Sequence, residues 1–407
     1  MKIGKRVSSL ILVLMLIVFT TLSCSPLRPR KPIPENMVHK ATIPGLGDVR
    51  LTSGTRSVDE KTKYNQEIKR IILYSQQAAE KNTECCDLNL NILSLSGGGE
   101  DGAFGAGILN GWTASGNRPK FDIVTGISTG ALQAPFAFLG PEYDTSLEVY
   151  STAAPKDIYR KRPFGTILQQ RDAAGDFTPL KNLIANLFGE TELKAVAREY
   201  ARGRLLFIGT TLLDAQQLVF WDMGAIASSG HSDALNLFRK VIIASASVPV
   251  AVPPIYIEVE AEGNTYDEMH VDGGVMTQMF GIKFLKYLSN AWRKAGYTVN
   301  GRVYILRNAR LDPEWKIINP KMASIAGRSI STLIKAQGIG DFYRAYVDSN
   351  DANFDFNYVY IPREFSHVSE KPFDQKYMKL LYDFGFEMAL KGIKWNKIPP
   401  YFNPSEK

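Results

Sequence analysis

Cysteine is scarce, with three residues in 407. That excludes a disulfide framework and any cysteine-rich zinc site. Two of the three, Cys85 and Cys86, are adjacent, and such neighbours rarely reach disulfide geometry with each other. Histidine is also scarce: His39, His231, His270 and His367 are the whole supply. No Lys/Arg tract runs through the body of the chain, so the net charge of +7 gives no support to nucleic-acid binding. The apolar run at residues 10–19 falls short of the roughly 20 residues of a membrane-spanning helix. What remains has globular proportions, 45% hydrophobic and 22% charged. The length suits two or three domains, or one large α/β domain with extensions, and is enough to bury a substantial core.

The N-terminus has the layout of an export signal. Lys2, Lys5 and Arg6 precede the apolar run, which fades through Thr20, Thr21, Leu22 and Ser23 into Cys24. A small residue followed by cysteine at this place resembles a bacterial lipobox, although Thr21 stands where an aliphatic residue is usual. The resemblance implies lipidation of Cys24 and an exported protein held at a membrane of the cell envelope; cleavage by an ordinary signal peptidase nearby is the plainer alternative. Loss of this leader removes three of the surplus positive charges. Pro26, Pro29, Pro32 and Pro34 follow, a spacing that disfavours helix and sheet and is expected to form a semi-extended tether over 24–57.

Residues 58–84 read as a surface helix around Ile68, Ile71, Ile72 and Leu73. Beyond it, strand, glycine turn and helix alternate. Strands are expected at 88–96, 121–128, 204–214, 216–222, 268–274, 302–309 and 356–362. Helices are expected at 103–114, 129–139, 234–247, 321–347 and 374–391. This is the grammar of a parallel α/β sheet, with no break that would split 88–395.

Three turns could carry chemistry. Gly126-Ile127-Ser128-Thr129-Gly130 lies between a strand and a helix, the layout of a nucleophile elbow. Ser96-Gly97-Gly98-Gly99-Glu100-Asp101-Gly102 is a second strand-to-helix turn, and bare glycine amides suit the stabilisation of an oxyanion. Gly97 precedes Ser128 by 31 residues, about one βαβ unit, so a right-handed crossover brings both turns to one sheet edge. The first turn also matches the dinucleotide pattern G-x-G-x-x-G, with Asp122 twenty residues after Gly102. But Asp122 opens its strand, where a ribose-binding acid closes it. In the third turn, Asp272 ends a strand before Gly273 and Gly274 and is placed to act as base for Ser128 if desolvation raises its pKa. Taken alone, each of the three is equally at home as a structural turn.

Together they resemble the patatin-like phospholipase family over about residues 88–280. The stretch 244–254, small residues followed by a proline turn, resembles that family as well. The resemblance implies a three-layer α/β/α sandwich with a largely parallel central sheet. It implies a serine carboxylic-ester hydrolase of the phospholipase A or lysophospholipase kind, running on a Ser–Asp dyad without cofactor or metal. Ser128 would be the nucleophile, Asp272 the base, Gly97, Gly98 and Gly99 the oxyanion loop, and Gly102, Gly126, Gly130, Gly273 and Gly274 the supporting turn positions. The substrate would be a phospholipid or other acyl ester. One position departs: Asp101 stands where the family commonly carries Arg or Lys. The expected division is a leader at 1–23, lipidated Cys24 and tether at 24–57, a helical extension at 58–87, the catalytic domain at 88–395 and a tail at 396–407.

Two other readings remain. A histidine-dependent esterase could use the order Ser128, Asp272, His367, or His270 on the strand of Asp272. A non-catalytic lipid-binding envelope protein would fit the acid at Asp101. Phe104, Phe136 and Phe138 are candidates for an acyl-binding wall, with core packing as the alternative. The acidic stretch 348–353 lacks the glycine and alternation of a calcium loop.

Overall fold

Alternating apolar residues on five neighbouring strands build two cores, one on each face of a single sheet. Residues 30–53, 69, 87–161, 175–280 and 282–402 are described by a computed structural model. The leader, Cys24, Cys85, Cys86 and most of the 58–87 extension lie outside the described residues.

The nine strands of the sheet are β1 (Arg50–Thr52), β2 (Asp87–Leu95), β3 (Ile123–Ile127), β4 (Leu205–Leu212), β5 (Gln217–Asp222), β6 (Ile255–Ala261), β7 (Asn264–Asp272), β8 (Thr298–Arg307) and β9 (Phe354–Tyr360). Their order is β1-β5-β4-β3-β2-β8-β9, with β7 also paired to β4 and β6 paired to β7. The run β4-β3-β2-β8-β9 is parallel, while β1, β5, β6 and β7 join antiparallel.

Period-2 alternation divides these strands between the two faces. Leu93, Leu95, Val124, Leu206 and Ile208 face one core, with α1 (Gly102–Ala114), α2 (Thr129–Leu139), α5 (Ala234–Ser245) and α8 (Gln375–Leu390). Ile92, Ile123, Leu205, Phe207 and Val303 face the other, with Trp292 of α6 (Ile282–Lys294) and Phe342 of α7 (Met322–Ala352). The result is a three-layer α/β/α sandwich with a mostly parallel sheet. Two further helices, α3 (Thr178–Leu187) and α4 (Glu190–Ala201), connect β3 to β4.

The 30–53 segment differs from the expected tether: it is packed onto the domain. Ile33, Val38, Ala41, Ile43, Val49 and Leu51 are buried. Arg30 bonds Asp214 and Asp267, Pro32 bridges Asp267, and β1 pairs with β5. Proline excludes helix but leaves an extended backbone that can lie along a sheet edge, and the apolar residues behind it supply the burial. The strap is locked by Arg50, whose guanidinium meets the buried carboxylate of Glu268 on β7. At the other end, residues 396–402 also lie on the domain rather than forming a free tail. Asn396 bridges Tyr358, and Tyr343 donates to the Pro400 carbonyl at 2.8 Å. Strand β6 was not expected; its alternation of Ile255, Ile257 and Val259 with Glu258 and Glu260 is an ordinary half-buried pattern.

Candidate active site

Strand β4 assembles the centre. Its Gly209 pairs with Ile127, the last residue of β3, and the next residue, Thr210, pairs with Asp272, the last of β7. β3 runs parallel to β4 and β7 antiparallel, so the two strands end against each other on one flank of β4. Ser128 follows Ile127 directly. This register makes neighbours of two residues far apart in the chain.

Ser128 stands at φ 56°, ψ −124°, a strained backbone for a residue with a side chain. The strain belongs to the sharp reversal from β3 into α2. A methyl group at Gly126 would sit 2.4 Å from the Gly130 carbonyl oxygen, so the turn closes only without it. The turn is held from α5: the Ser128 N–H donates to Ser245 Oγ at 2.9 Å, and that hydroxyl donates to Gly209 O at 2.7 Å. Helix α2 starts at Thr129, so its positive N-terminal end lies beside the Ser128 side chain.

Asp272 is buried. Burial pushes its carboxyl up to about 6, against the Ser128 hydroxyl and the Gly274 N–H, which both favour the charged form. Oδ1 accepts from Gly274 N–H at 2.6 Å. Oδ2 has no partner at hydrogen-bond geometry, while the Ser128 hydroxyl lies near enough to favour the charged carboxylate. Behind the carboxylate, Asp272 N–H donates to Ser247 O and Thr211 Oγ1 donates to Asp272 O. Gly273 begins a single 3-10 turn that continues through Val275.

The glycine loop follows β2. Of its three expected donors, Gly97 N–H donates to Gln278 O at 3.4 Å. Gly98 and Gly99 N–H have no hydrogen-bond acceptor among the described residues. A methyl on Gly98 would lie 1.9 Å from Asn308 O. Gly102 opens α1, and its carbonyl accepts from Gln133 Nε2 at 2.6 Å.

Arg307, the last residue of β8, and Asn308 just after it, neither foreseen from the sequence, support this loop. Asn308 Nδ2 donates to Ser96 O at 2.9 Å, and its Oδ1 accepts from Gly105 N–H at 3.0 Å. Arg307 donates to Gln278 Oε1 at 3.0 Å and reaches Gly97 O at 3.4 Å. Burial lowers its pKa to about 10, opposed by Asp341 and Asp101, so it stays charged at neutral pH. Polar Arg-Asn directly after the apolar run Val303–Leu306 was the available signal. Ser245 was equally readable as a polar residue within the small-residue stretch.

Asp101 turns toward α8. It accepts from Tyr377 Oη on α8 at 2.6 Å, and burial pushes its carboxyl up to about 7. The histidines are committed elsewhere. His270 is fully buried between Thr210 Oγ1 at 2.9 Å and Glu268 Oε2 at 3.1 Å, and desolvation lowers its pKa. His367 is exposed against Phe365. Among the described residues no group of three or more His, Cys, Asp or Glu gathers that could hold a metal ion.

An apolar cavity of about 210 Å³ opens on Ser128 and Gly99. Its far walls include Phe136, Ile158, Leu180, Leu183 and Val252. Of the three expected aromatic residues only Phe136 lines it. Phe104 is buried beneath α8 beside Gly385, and Phe138 lies under the Arg204 guanidinium.

Residues 93–285 match the family model Patatin-like phospholipase. Over this segment the chain is similar to patatin-like phospholipases. The segment contains Ser128, Asp272 and the glycine loop, whereas Arg307, Asn308 and Tyr377 lie beyond its matched end. The family as a whole comprises lipid acyl hydrolases. Among solved structures, VipD from Legionella pneumophila is similar at 13% identity and a TM-score of 0.33, over 75% of this chain and 67% of that one. No curated protein matches the chain.

Proposed function

We propose that the protein is a serine lipid acyl hydrolase with a Ser128–Asp272 dyad. The observation that carries this reading is the meeting of Ser128, on a strained elbow, with a desolvated Asp272 whose carboxyl titrates at about 6. At neutral pH Asp272 is ionised and basic enough to accept a hydroxyl proton. Ser128 Oγ attacks the ester carbonyl carbon while its proton passes to Asp272 Oδ2. The carbonyl oxygen becomes an oxyanion that receives the free N–H groups of Gly98 and Gly99, with Arg307 adding positive charge beneath the loop. As the intermediate collapses, Asp272 returns the proton to the departing alcohol. The acyl group remains on Ser128. Water then attacks, Asp272 takes its proton, and the free acid leaves with Ser128 restored.

The apolar cavity beside Ser128 supports an acyl chain as the bound part of the substrate. Lipidation of Cys24, with export to the cell envelope, is part of the same proposal; mass spectrometry of the mature N-terminus tests it.

Fluorophosphonate labelling with ester turnover tests the dyad. Wild type is tagged at Ser128 and turns over acyl esters. Ser128→Ala is neither tagged nor active, and Asp272→Asn loses turnover by several orders of magnitude. Equal labelling of wild type and Ser128→Ala would overturn the reading.

A further inference from the structure

Helix α7 is amphipathic in two halves that point opposite ways. Its C-terminal half buries Phe342, Ala345, Ser349 and Ala352, and Phe342 packs on Tyr358 of β9 with ring centroids 4.5 Å apart. Its N-terminal half turns the other side outward. At 3.6 residues per turn, Met322, Ile325, Ile330 and Leu333 fall on one arc, and all four are exposed, Leu333 at 68%. The polar arc of the same half faces the protein. Ser324, Gly327, Arg328 and Ser331 line a cleft shared with residues 316–319, Arg328 donates to Glu314 O, and Lys335 bonds Glu314 Oε2 at 2.7 Å. Polar contacts inward and apolar contacts outward reverse what a solvent-facing helix does.

The segment leading into this half leaves Trp315 87% exposed; Ile317, 78% exposed, stands on its cleft side. An aromatic ring left in water close in sequence to an exposed apolar helix arc suits the interface of a bilayer, where its apolar body and polar N–H are both accommodated. Lys316 and Lys321 are exposed among these residues. The nearby acids are already bonded to cations, Asp312 to Arg363 and Glu314 to Lys335. The patch is therefore apolar with positive charge at its edge, the complement of an anionic lipid surface.

The patch also continues to the catalytic mouth. One turn after Leu333, Gln337 donates to Val275 O at 3.3 Å and accepts from Gln278 Nε2 at 3.0 Å. Val275 is exposed on the turn after Asp272, and Val248 and Val250 are exposed on the loop that borders the cavity. Among the described residues no helix is long and apolar enough to cross a membrane, so this half-helix is suited to lie on a bilayer rather than span it.

We infer that the exposed apolar arc of the N-terminal half of α7, with Trp315 at its start, is an interfacial docking surface for anionic bilayers, set beside the mouth of the Ser128 site. For what it delivers, this inference rests on the lipid reading of that site. Docked there, the mouth faces the acyl layer, and an ester can pass into the cavity without crossing water.

The test uses the full chain carrying Ser128→Ala, bound to vesicles of equal parts phosphatidylcholine and phosphatidylglycerol whose acyl chains are brominated. Trp112, Trp221 and Trp292 are buried, so the difference between this protein and its Trp315→Phe derivative reports on Trp315. Trp315 emission should shift to the blue and be quenched, more strongly than on phosphatidylcholine alone. Ile325→Asp with Leu333→Asp should weaken this by about tenfold or more. In the Ser128 background the same pair should leave turnover of a short soluble ester unchanged, which also reports that the variant is folded. An unquenched Trp315 on bound protein overturns the inference, as does quenching indifferent to the two aspartates. A blue shift that follows protein concentration without lipid overturns it too, because a second copy would then cover the patch. Failure of the catalytic reading leaves the quenching intact; failure of docking leaves soluble turnover intact.

Discussion

Ser128 and Asp272 reach each other along one flank of β4 from opposite directions. Ile127 pairs with Gly209 and Asp272 with Thr210, so the end of a parallel strand meets the end of an antiparallel one. The nearness of the two residues is thus a property of strand register, and a one-residue slip of β7 would turn Asp272 to the other face.

The first prediction concerns pH. If Asp272 is the base, kcat/KM rises with pH through an apparent pKa of about 6 and then levels. His367→Ala leaves the profile unchanged. A profile that moves with His367→Ala would restore the histidine-dependent reading.

Asp272 also costs stability. Its folded pKa is raised above the ordinary aspartate value of 3.8, so the folded state disfavours the charged form. The penalty is absent below about pH 4, grows as pH rises, and is complete above about pH 6. Asp272→Asn should therefore be inactive yet more stable than wild type at pH 7, by about 1–3 kcal/mol. Thermal melts at pH 5 and pH 7 check this, with the gap between the proteins wider at pH 7.

The glycine loop gives a third. Gly98→Ala drives a methyl into Asn308 O and displaces a free donor. Turnover should fall by about 10²–10³-fold, the usual loss for one oxyanion donor, while Ser128 remains present for labelling. Asn308→Ala strands Gly105 N–H and the Ser96 carbonyl, and should destabilise the protein by about 2–3 kcal/mol in denaturant titrations.

The strap gives a fourth. Burial works against the Glu268 charge, but Arg50 and His270 hold its carboxyl down to about 2. The pair therefore stabilises the fold above about pH 4.5, a contribution lost as pH falls toward 2. Arg50→Ala leaves a buried charge unpaired and should cost about 3–5 kcal/mol. Arg50→Met with Glu268→Leu should recover most of it in the same unfolding measurement.

A fifth concerns the cavity. Leu183→Trp narrows the space beyond Phe136. Hydrolysis of long-chain esters should drop about tenfold relative to short ones, read as the ratio of kcat/KM values.

Much of the centre was legible because its parts are local. GISTG, SGGG and VDGG each announce a turn through their own glycines, and apolar alternation marks the parallel strands. Less legible was anything set by distant partners. Asn308 lies 212 residues from Ser96, and Gly97 N–H donates to Gln278 O, which no spacing rule indicates. The 30–53 strap was obscured by prolines, although Ile33, Val38 and Leu51 recorded its burial.

The chain by itself determined the alternation of strand and helix, the strained turn at Ser128 and the identity of an acid before two glycines, because propensity, periodicity and turn chemistry act over a few residues. Only the tertiary structure decided that β7 descends to the end of β3, that Asp101 turns to Tyr377 and that half of α7 wears its apolar side outward. Those outcomes depend on which surfaces meet, and packing and desolvation are set by neighbours hundreds of residues away.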